Sequence, residues 1–312
     1  MRFLLLGLGF ISTHVALTLS ELGEDVTVTY RNLNPVKEEY IKILNNKVNL
    51  VKLDPLSSEI EKHVKGSDTV VNFIGEIKGS EDRLKLANVE VPKRLAELSF
   101  NFGKTFIHLS GATSTGATGK NVKEEPEHCK DSLATTQFER SKCNGEKEIM
   151  RLAIEKGGDV TILRPTLVYG RYAAHIQFVT MYRLSKLRII PELNLDMATV
   201  NAWSIGKAIH KLGKVTGRRY LYATECGSVK VSKFFEIMAE SLNGGVKIPI
   251  PTIFAKLALP AEIRSLLRYS GTTYDCSKFE GYAGELKFDE SEIKENVKFL
   301  KQLDREGKLV PT

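Results

Sequence analysis

The sequence predicts an α/β protein, a doubly wound parallel sheet with a smaller carboxyl-terminal lobe, and three observations carry that expectation. Short runs that are apolar throughout, rather than alternating, recur as RFLLLG, DVTVTYR, VNLVKLD, TVVNFIG, KTFIHLSG and DVTILRP. Helical patterns separate them. The first run also turns directly into its helix through Gly7-Leu8-Gly9. Strands covered on both faces read as unbroken apolar runs, and intervening helices are what join parallel neighbours.

In order, RFLLLG leads into FISTHVALTLSELG, DVTVTYR into PVKEEYIKILNN, VNLVKLD into SSEIEKHVK, and TVVNFIG into the long DRLKLANVEVPKRLAELSFNF. KTFIHLSG precedes a loop from Ala112 to about Ser132, a helix over 134–157, and the strand DVTILRP. After Pro165 the alternation loosens into PELNLDMATVNAW, RRYLYATE, VKIPIPTIFAKLALP and a charged helix at 289–306. The expected division is a sheet domain over 1–165 and a smaller lobe over 166–312. The two interleave near 200–226, where RRYLYATE is suited to return to the sheet, and the lobe closes over the strands' carboxyl ends.

Composition narrows the function. With 42% hydrophobic and 27% charged residues, and no repeat or low-complexity tract, the 312-residue chain has the makeup of an ordinary globule, so disorder is set aside. The net charge of +7 is interspersed with acids, as in VKEEYIKILNNK. That argues against nucleic acid as a partner and leaves an anionic small molecule or lipid headgroup. Cys129, Cys143, Cys226 and Cys276 show no CxxC spacing, so no metal site is expected, and four free thiols fit a reducing cytosol. MRFLLLGLGFIS lacks a small-x-small cleavage site, and no run reaches the roughly 18 apolar residues of a membrane span. The expected setting is cytoplasmic, at most peripheral to a membrane.

The first turn, Gly7-Leu8-Gly9-Phe10-Ile11-Ser12, is a GxGxxG pattern with serine in the last position. Gly7 allows the tight turn, Gly9 lets backbone approach a diphosphate, and the diphosphate rests on the helix amino terminus. Placed at the head of a βαβ series, the turn makes Gly7, Gly9, Phe10 and Ile11 candidate dinucleotide-binding residues. After the second strand, where an NAD-selective site carries an acid for the ribose hydroxyls, stand Arg31 and Asn32. A guanidinium there clamps a 2′-phosphate, so NADP(H) is expected over NAD(H). Asp54 is a candidate acceptor for the adenine amine or, alternatively, the start of an Asp-Pro turn.

Together with VVNFIG, Asn88, FIHLSGATSTG, FERSK and LRPTLVYGR, these features resemble the extended short-chain dehydrogenase/reductase family of the NAD-dependent epimerase/dehydratase type, over about residues 1–210. VVNFIGE and RSKCNGEKE look most like its atypical branch containing the nucleotide-binding accessory subunit of respiratory complex I. The resemblance implies that a tyrosine four residues before a lysine supplies the proton accompanying hydride transfer, the lysine tuning it and holding the nicotinamide ribose. Here Lys142 is kept and Phe138 stands at the tyrosine position. The family's serine or threonine position falls on Gly111, or on Ser110 after a one-residue slip, with Thr113 two further on. Gly75, Pro165 and Thr166 are implied near the cofactor. Tyr169 and Arg171 are implied near the substrate, with packing as the other reading of Tyr169.

Tyr172, His175 and His108 are further candidate acids, although His108 inside an apolar strand reads better as a core histidine. Trp203, in VNAWSIGKAI, reads as core. The basic amphipathic pattern TIFAKLALPAEIRSLLRYS is a lid, a partner surface for another protein or a second copy, or a membrane-facing patch. Two functions follow. One is an NADP(H)-holding protein like the complex I subunit, its usual acid replaced by Phe138. The other is an active NADP-dependent reductase or sugar-nucleotide epimerase or dehydratase using another proton donor.

Overall fold

The computed structural model describes residues 1–124, 129, 133–250 and 267–311. Seven parallel strands form its main sheet: β1 (Arg2–Leu6), β2 (Asp25–Tyr30), β3 (Asn49–Lys52), β4 (Thr69–Asn72), β5 (Thr105–Leu109), β6 (Val160–Pro165) and, after a long excursion, β11 (Arg218–Ala223). Their spatial order is β3-β2-β1-β4-β5-β6-β11. The order reverses between β1 and β4, which is where such sheets open a crevice at their carboxyl ends. Leu6 ends β1 opposite both Thr29 and Asn72, so three strands finish level beneath that crevice.

The side-chain period of two in β1 divides the core. Leu4 and Leu6 point to one face and join Ile60 and Val64 of α3 (Ile60–Gly66), Leu95 of α5 (Val91–Asn101) and Ile149 of α6 (Gln137–Lys156). Phe3 and Leu5 point to the other, where α1 (Phe10–Glu21) and α8 (Ala202–Leu212) contribute Val15, Leu19, Ile205 and Ile209. Both faces are therefore covered, as the unbroken apolar runs require. β11 pairs with β6 from Arg218 opposite Val160 to Ala223 opposite Pro165, so the chain beyond Pro165 contributes a strand to the sheet.

Between β6 and β11 lie short strands β7 (Leu167–Tyr169), β8 (Ile189–Glu192), β9 (Asp196–Met197) and β10 (Thr199–Asn201), with helix α7 (Ile176–Lys186). After β11 come α9 (Val231–Glu240), a short helix at Ser277–Ala283 and a final helix at Glu290–Arg305. The basic amphipathic pattern falls mostly on 251–266, outside the described residues; its end, Leu267–Tyr269, is a single 3-10 turn.

The expectation of four free thiols is corrected: Cys129 pairs with Cys143, and Cys226 pairs with Cys276. No spacing rule announces these bonds, because tertiary packing brings their segments together, Cys226 just after β11 meeting Cys276 fifty residues on. No described helix is long and apolar enough to cross a membrane.

Candidate functional site

The carboxyl ends of the central strands open into a cavity of about 910 Å³. Its floor begins with the turn after β1. Gly7 has φ +102°, a conformation that an L side chain adopts only under strain, and a Cβ there would press on Ile74 Cγ1 at 3.1 Å. Gly9 faces open space. Ser12 does more than stay small: its Oγ accepts from Gly9 N–H at 2.8 Å and holds the turn. Phe10 and Ile11 begin α1, whose first turn holds no acid, so the positive end of the helix is unopposed.

Arg31 and Asn32 line the cavity beyond β2. Lys37, which the sequence reading missed, lines it too, placed by the cap in which Asn34 Oδ1 accepts from Lys37 N–H at 2.9 Å. Burial pulls the Lys37 ammonium down in pKa; Glu76 opposes that and Arg31 reinforces it. Neither cation has an ion-pair partner among the described residues. Asp54 Oδ1 accepts from Leu56 N–H at 2.9 Å, the turn-forming role; Leu53 and Pro55 on either side line the cavity, and Asp54 itself does not.

The centre is built around Asn88, on a π-helical turn at Leu86–Glu90. Asn88 Oδ1 accepts from Glu76 N–H at 2.9 Å, while Nδ2 donates to Glu76 O at 2.8 Å and to Ser141 Oγ at 2.9 Å. The loop after β4 is thereby tied to α6. Lys142, buried, lies against Gly75 so closely that a Cβ on that glycine would collide with its Nζ. Burial pushes the Lys142 ammonium down to about 8, with Glu146 and Glu76 opposing the fall.

Phe138 lies half-buried on the wall one turn before Lys142. A capping box fixes that end of α6: Thr136 Oγ1 accepts from Glu139 N–H at 3.1 Å, and Glu139 Oε2 accepts from Thr136 N–H at 3.0 Å. Ser110, Gly111 and Thr113 form the neighbouring wall, with Ser110 Oγ 3.2 Å from Ser114 Oγ. Beneath them Arg164 Nη2 donates to Glu146 Oε2 at 2.7 Å in a fully buried ion pair, and the guanidinium carbon lies 4.3 Å from the Tyr220 ring centroid.

Pro165 and Thr166 reach the wall; Tyr169 and Arg171 do not. Tyr169 is fully buried, its hydroxyl donating to Glu225 Oε1 at 2.7 Å and accepting from Asp289 N–H at 2.8 Å. Arg171 Nε meets both oxygens of Glu292 at 3.1 Å, and its guanidinium carbon lies 5.2 Å from the Trp203 ring centroid. Both are corrected as substrate contacts: the acids that engage them come from 56 to 121 residues away in sequence, beyond the reach of a local motif.

The alternative acids are also placed. His108 Nδ1 lies 3.0 Å from Asn72 Nδ2 inside the core, and burial drives its pKa well down. Tyr172 is away from the wall, packed on Phe299. His175 lines the cavity, but burial lowers it to about 4, leaving it neutral. The carboxyl-terminal half adds Met197, Ala198, Tyr269, Thr272 and Tyr274, none of which carries a sequence signal. No group of metal-ligating side chains occurs among the described residues.

The family model described as the NAD dependent epimerase/dehydratase family matches residues 3–221. A tyrosine-to-phenylalanine variant of UDP-glucuronic acid 4-epimerase from Bacillus cereus, solved with a fluorinated UDP-sugar and NAD, superposes with a TM-score of 0.75 at 16% identity, covering 97% of this chain and 100% of that one. UDP-glucose 4-epimerase from Thermotoga maritima gives 0.70 at 20% identity, with 97% and 99% covered. The Bordetella bronchiseptica enzyme WbmH, bound to NAD+, gives 0.73 at 14% identity, also with 97% and 99% covered. No curated protein matches the chain by sequence. At these identities the structures speak for the fold alone, whereas the family model spans well over half the chain; the protein belongs to the NAD-dependent epimerase/dehydratase family.

Proposed function

We propose that the protein binds NADP(H) and works as an oxidoreductase of the reductase or epimerase type, with Lys142 supplying the proton that Phe138 lacks. Lys142 carries this reading: it is a buried ammonium on the cavity wall, lowered to about 8, and a general acid works best with its pKa near ambient pH. The cavity fits a dinucleotide. Gly9 leaves backbone accessible, the amino terminus of α1 is unopposed, and the lysine against Gly75 suits a ribose. Bound there, the cofactor supplies or accepts the hydride; Lys142 gives the matching proton in reduction and takes it in oxidation.

The sign of the pH dependence follows. Reduction needs the ammonium, so its rate is full below about pH 8 and falls as pH rises through that value, whereas oxidation needs the free amine and gains over the same range. Lys142→Met is expected to remove the inflection and slow either direction by roughly 10²–10⁴-fold. NADPH oxidation in the presence of a sugar nucleotide or a simple ketone, followed from pH 6 to 10, checks this. A flat profile in the wild type defeats the assignment.

NADP(H) is favoured over NAD(H) by Arg31 and Lys37, two cations on the cavity wall beyond β2 with no ion-pair partner among the described residues. Arg31→Ala is expected to weaken NADPH binding roughly ten- to hundredfold, the worth of a charge-assisted hydrogen bond, and to leave NADH within about twofold. Isothermal titration with both nucleotides measures it. Equal losses for the two deny Arg31 a 2′-phosphate role.

Phe138 favours a second reading, a protein that holds the cofactor without turning it over, in line with the likeness of VVNFIGE and RSKCNGEKE to the complex I accessory subunit. Under that reading NADPH copurifies, identified by mass spectrometry, and no substrate oxidises it at any pH.

A further inference from the structure

The cavity wall lacks a hydroxyl at Gly111, and a tyrosine from the other half of the chain lines the same cavity. Tyr274 lines the cavity and packs with Ala112, the residue after Gly111, and with Ala198. Its backbone is fixed on both sides, since Val122 N–H donates to Thr273 O at 2.9 Å and Asp275 N–H to Val122 O at 2.9 Å. Its ring rests on Tyr222, with centroids 4.5 Å apart. The side chain is about nineteen-twentieths buried, and its hydroxyl, itself closed to solvent, has no hydrogen-bond partner among the described residues. Tyr269 differs: its hydroxyl donates to Glu139 Oε1 at 2.8 Å or to Thr113 O at 2.7 Å.

A buried hydroxyl without a partner is costly, and a ligand oxygen that accepts from it removes the cost. We infer that Tyr274 is a substrate-binding residue whose phenol donates a hydrogen bond to the reacting oxygen of an uncharged carbonyl, or of the alcohol related to it. This rests on the redox reading above and names the chemical group that site takes. Apart from the Lys142 ammonium, the surroundings suit a neutral group: none of the described wall residues from Pro165 onward carries a charge at neutral pH. Burial also raises the Tyr274 phenol in pKa, which keeps it a neutral donor rather than an anion.

Gly111 provides the internal control. Its backbone is extended, and a Cβ there would meet only Thr113 Oγ1, at 3.9 Å, so a side chain can start from this position without displacing a neighbour.

The experiment titrates full-length protein with benzaldehyde and with cyclohexanone, with and without saturating NADPH, and titrates NADPH separately. Tyr274→Phe keeps the ring and its packing. It is expected to weaken carbonyl binding about tenfold and leave NADPH affinity unchanged, and Gly111→Ser added to it is expected to restore much of the loss. The inference is overturned if Tyr274→Phe binds both carbonyls as the wild type does, if neither carbonyl binds the wild type, or if carbonyl and NADPH affinity fall together. Tyr274-dependent carbonyl binding in a protein that does not bind NADPH supports the inference and defeats the cofactor reading alone.

Discussion

Phe138→Tyr is expected to raise the rate of hydride transfer by roughly 10²–10⁴-fold, the usual worth of a well-placed general acid. Phe138 is half-buried on the cavity wall. The anchored start of α6 carries it, and the Lys142 ammonium one turn further on stabilises a phenolate. The pH profile should change with the rate, because a phenol takes over the ionisation that Lys142 controls in the wild type. Single-turnover NADPH oxidation by wild type and variant, at equal cofactor occupancy, measures the effect. An unchanged rate with cofactor fully bound would show that the position does not face the reacting atoms.

The second large effect is on stability. Glu146→Ala is expected to destabilise the fold by about 3–5 kcal/mol, the typical cost of removing one partner from a buried ion pair. Arg164 and Glu146 are both essentially inaccessible, and the guanidinium donates to the carboxylate through Nε and Nη2. Burial alone would lower the Arg164 pKa, but the Glu146 charge and hydrogen bonds outweigh it and raise it. Removing the carboxylate strands the cation between β6 and α6 and takes the Ser114 Oγ contact at 3.2 Å with it. Urea unfolding at neutral pH reports the loss. A change below about 1 kcal/mol, the range of exposed pairs, would mean that water reaches the site.

Much of the cavity floor beside β1 was legible in the residues because it is built from local turns. Gly7 and Gly9 act within a few residues of the strand they follow, and Lys142 follows Phe138 by one turn of a single helix, so spacing alone places each pair, while the sheet brings the two pairs to one cavity. Lys37 escaped notice because a lysine near a helix start is ordinary decoration until tertiary structure sets Arg31 beside it. Tyr169 and Arg171 had the right neighbours in sequence, but their positions were settled by Glu225 and Glu292, supplied by later parts of the chain. Asp54 was decided by the amide two residues on.

The sequence by itself determined the doubly wound sheet, since continuous apolar strands alternating with helices bury both faces in no simpler way, and it set Phe138 one helical turn before Lys142. Only the tertiary structure decided what faces the cavity opposite that gap. Met197, Ala198, Tyr269, Thr272 and Tyr274 come from segments that β11 and the final helices fold back over the sheet. The physical reason is that periodicity and turn chemistry act over a few residues, whereas this side of the cavity is made by contacts across a hundred or more. Which of its polar atoms is left without a partner depends on how all of those contacts close together.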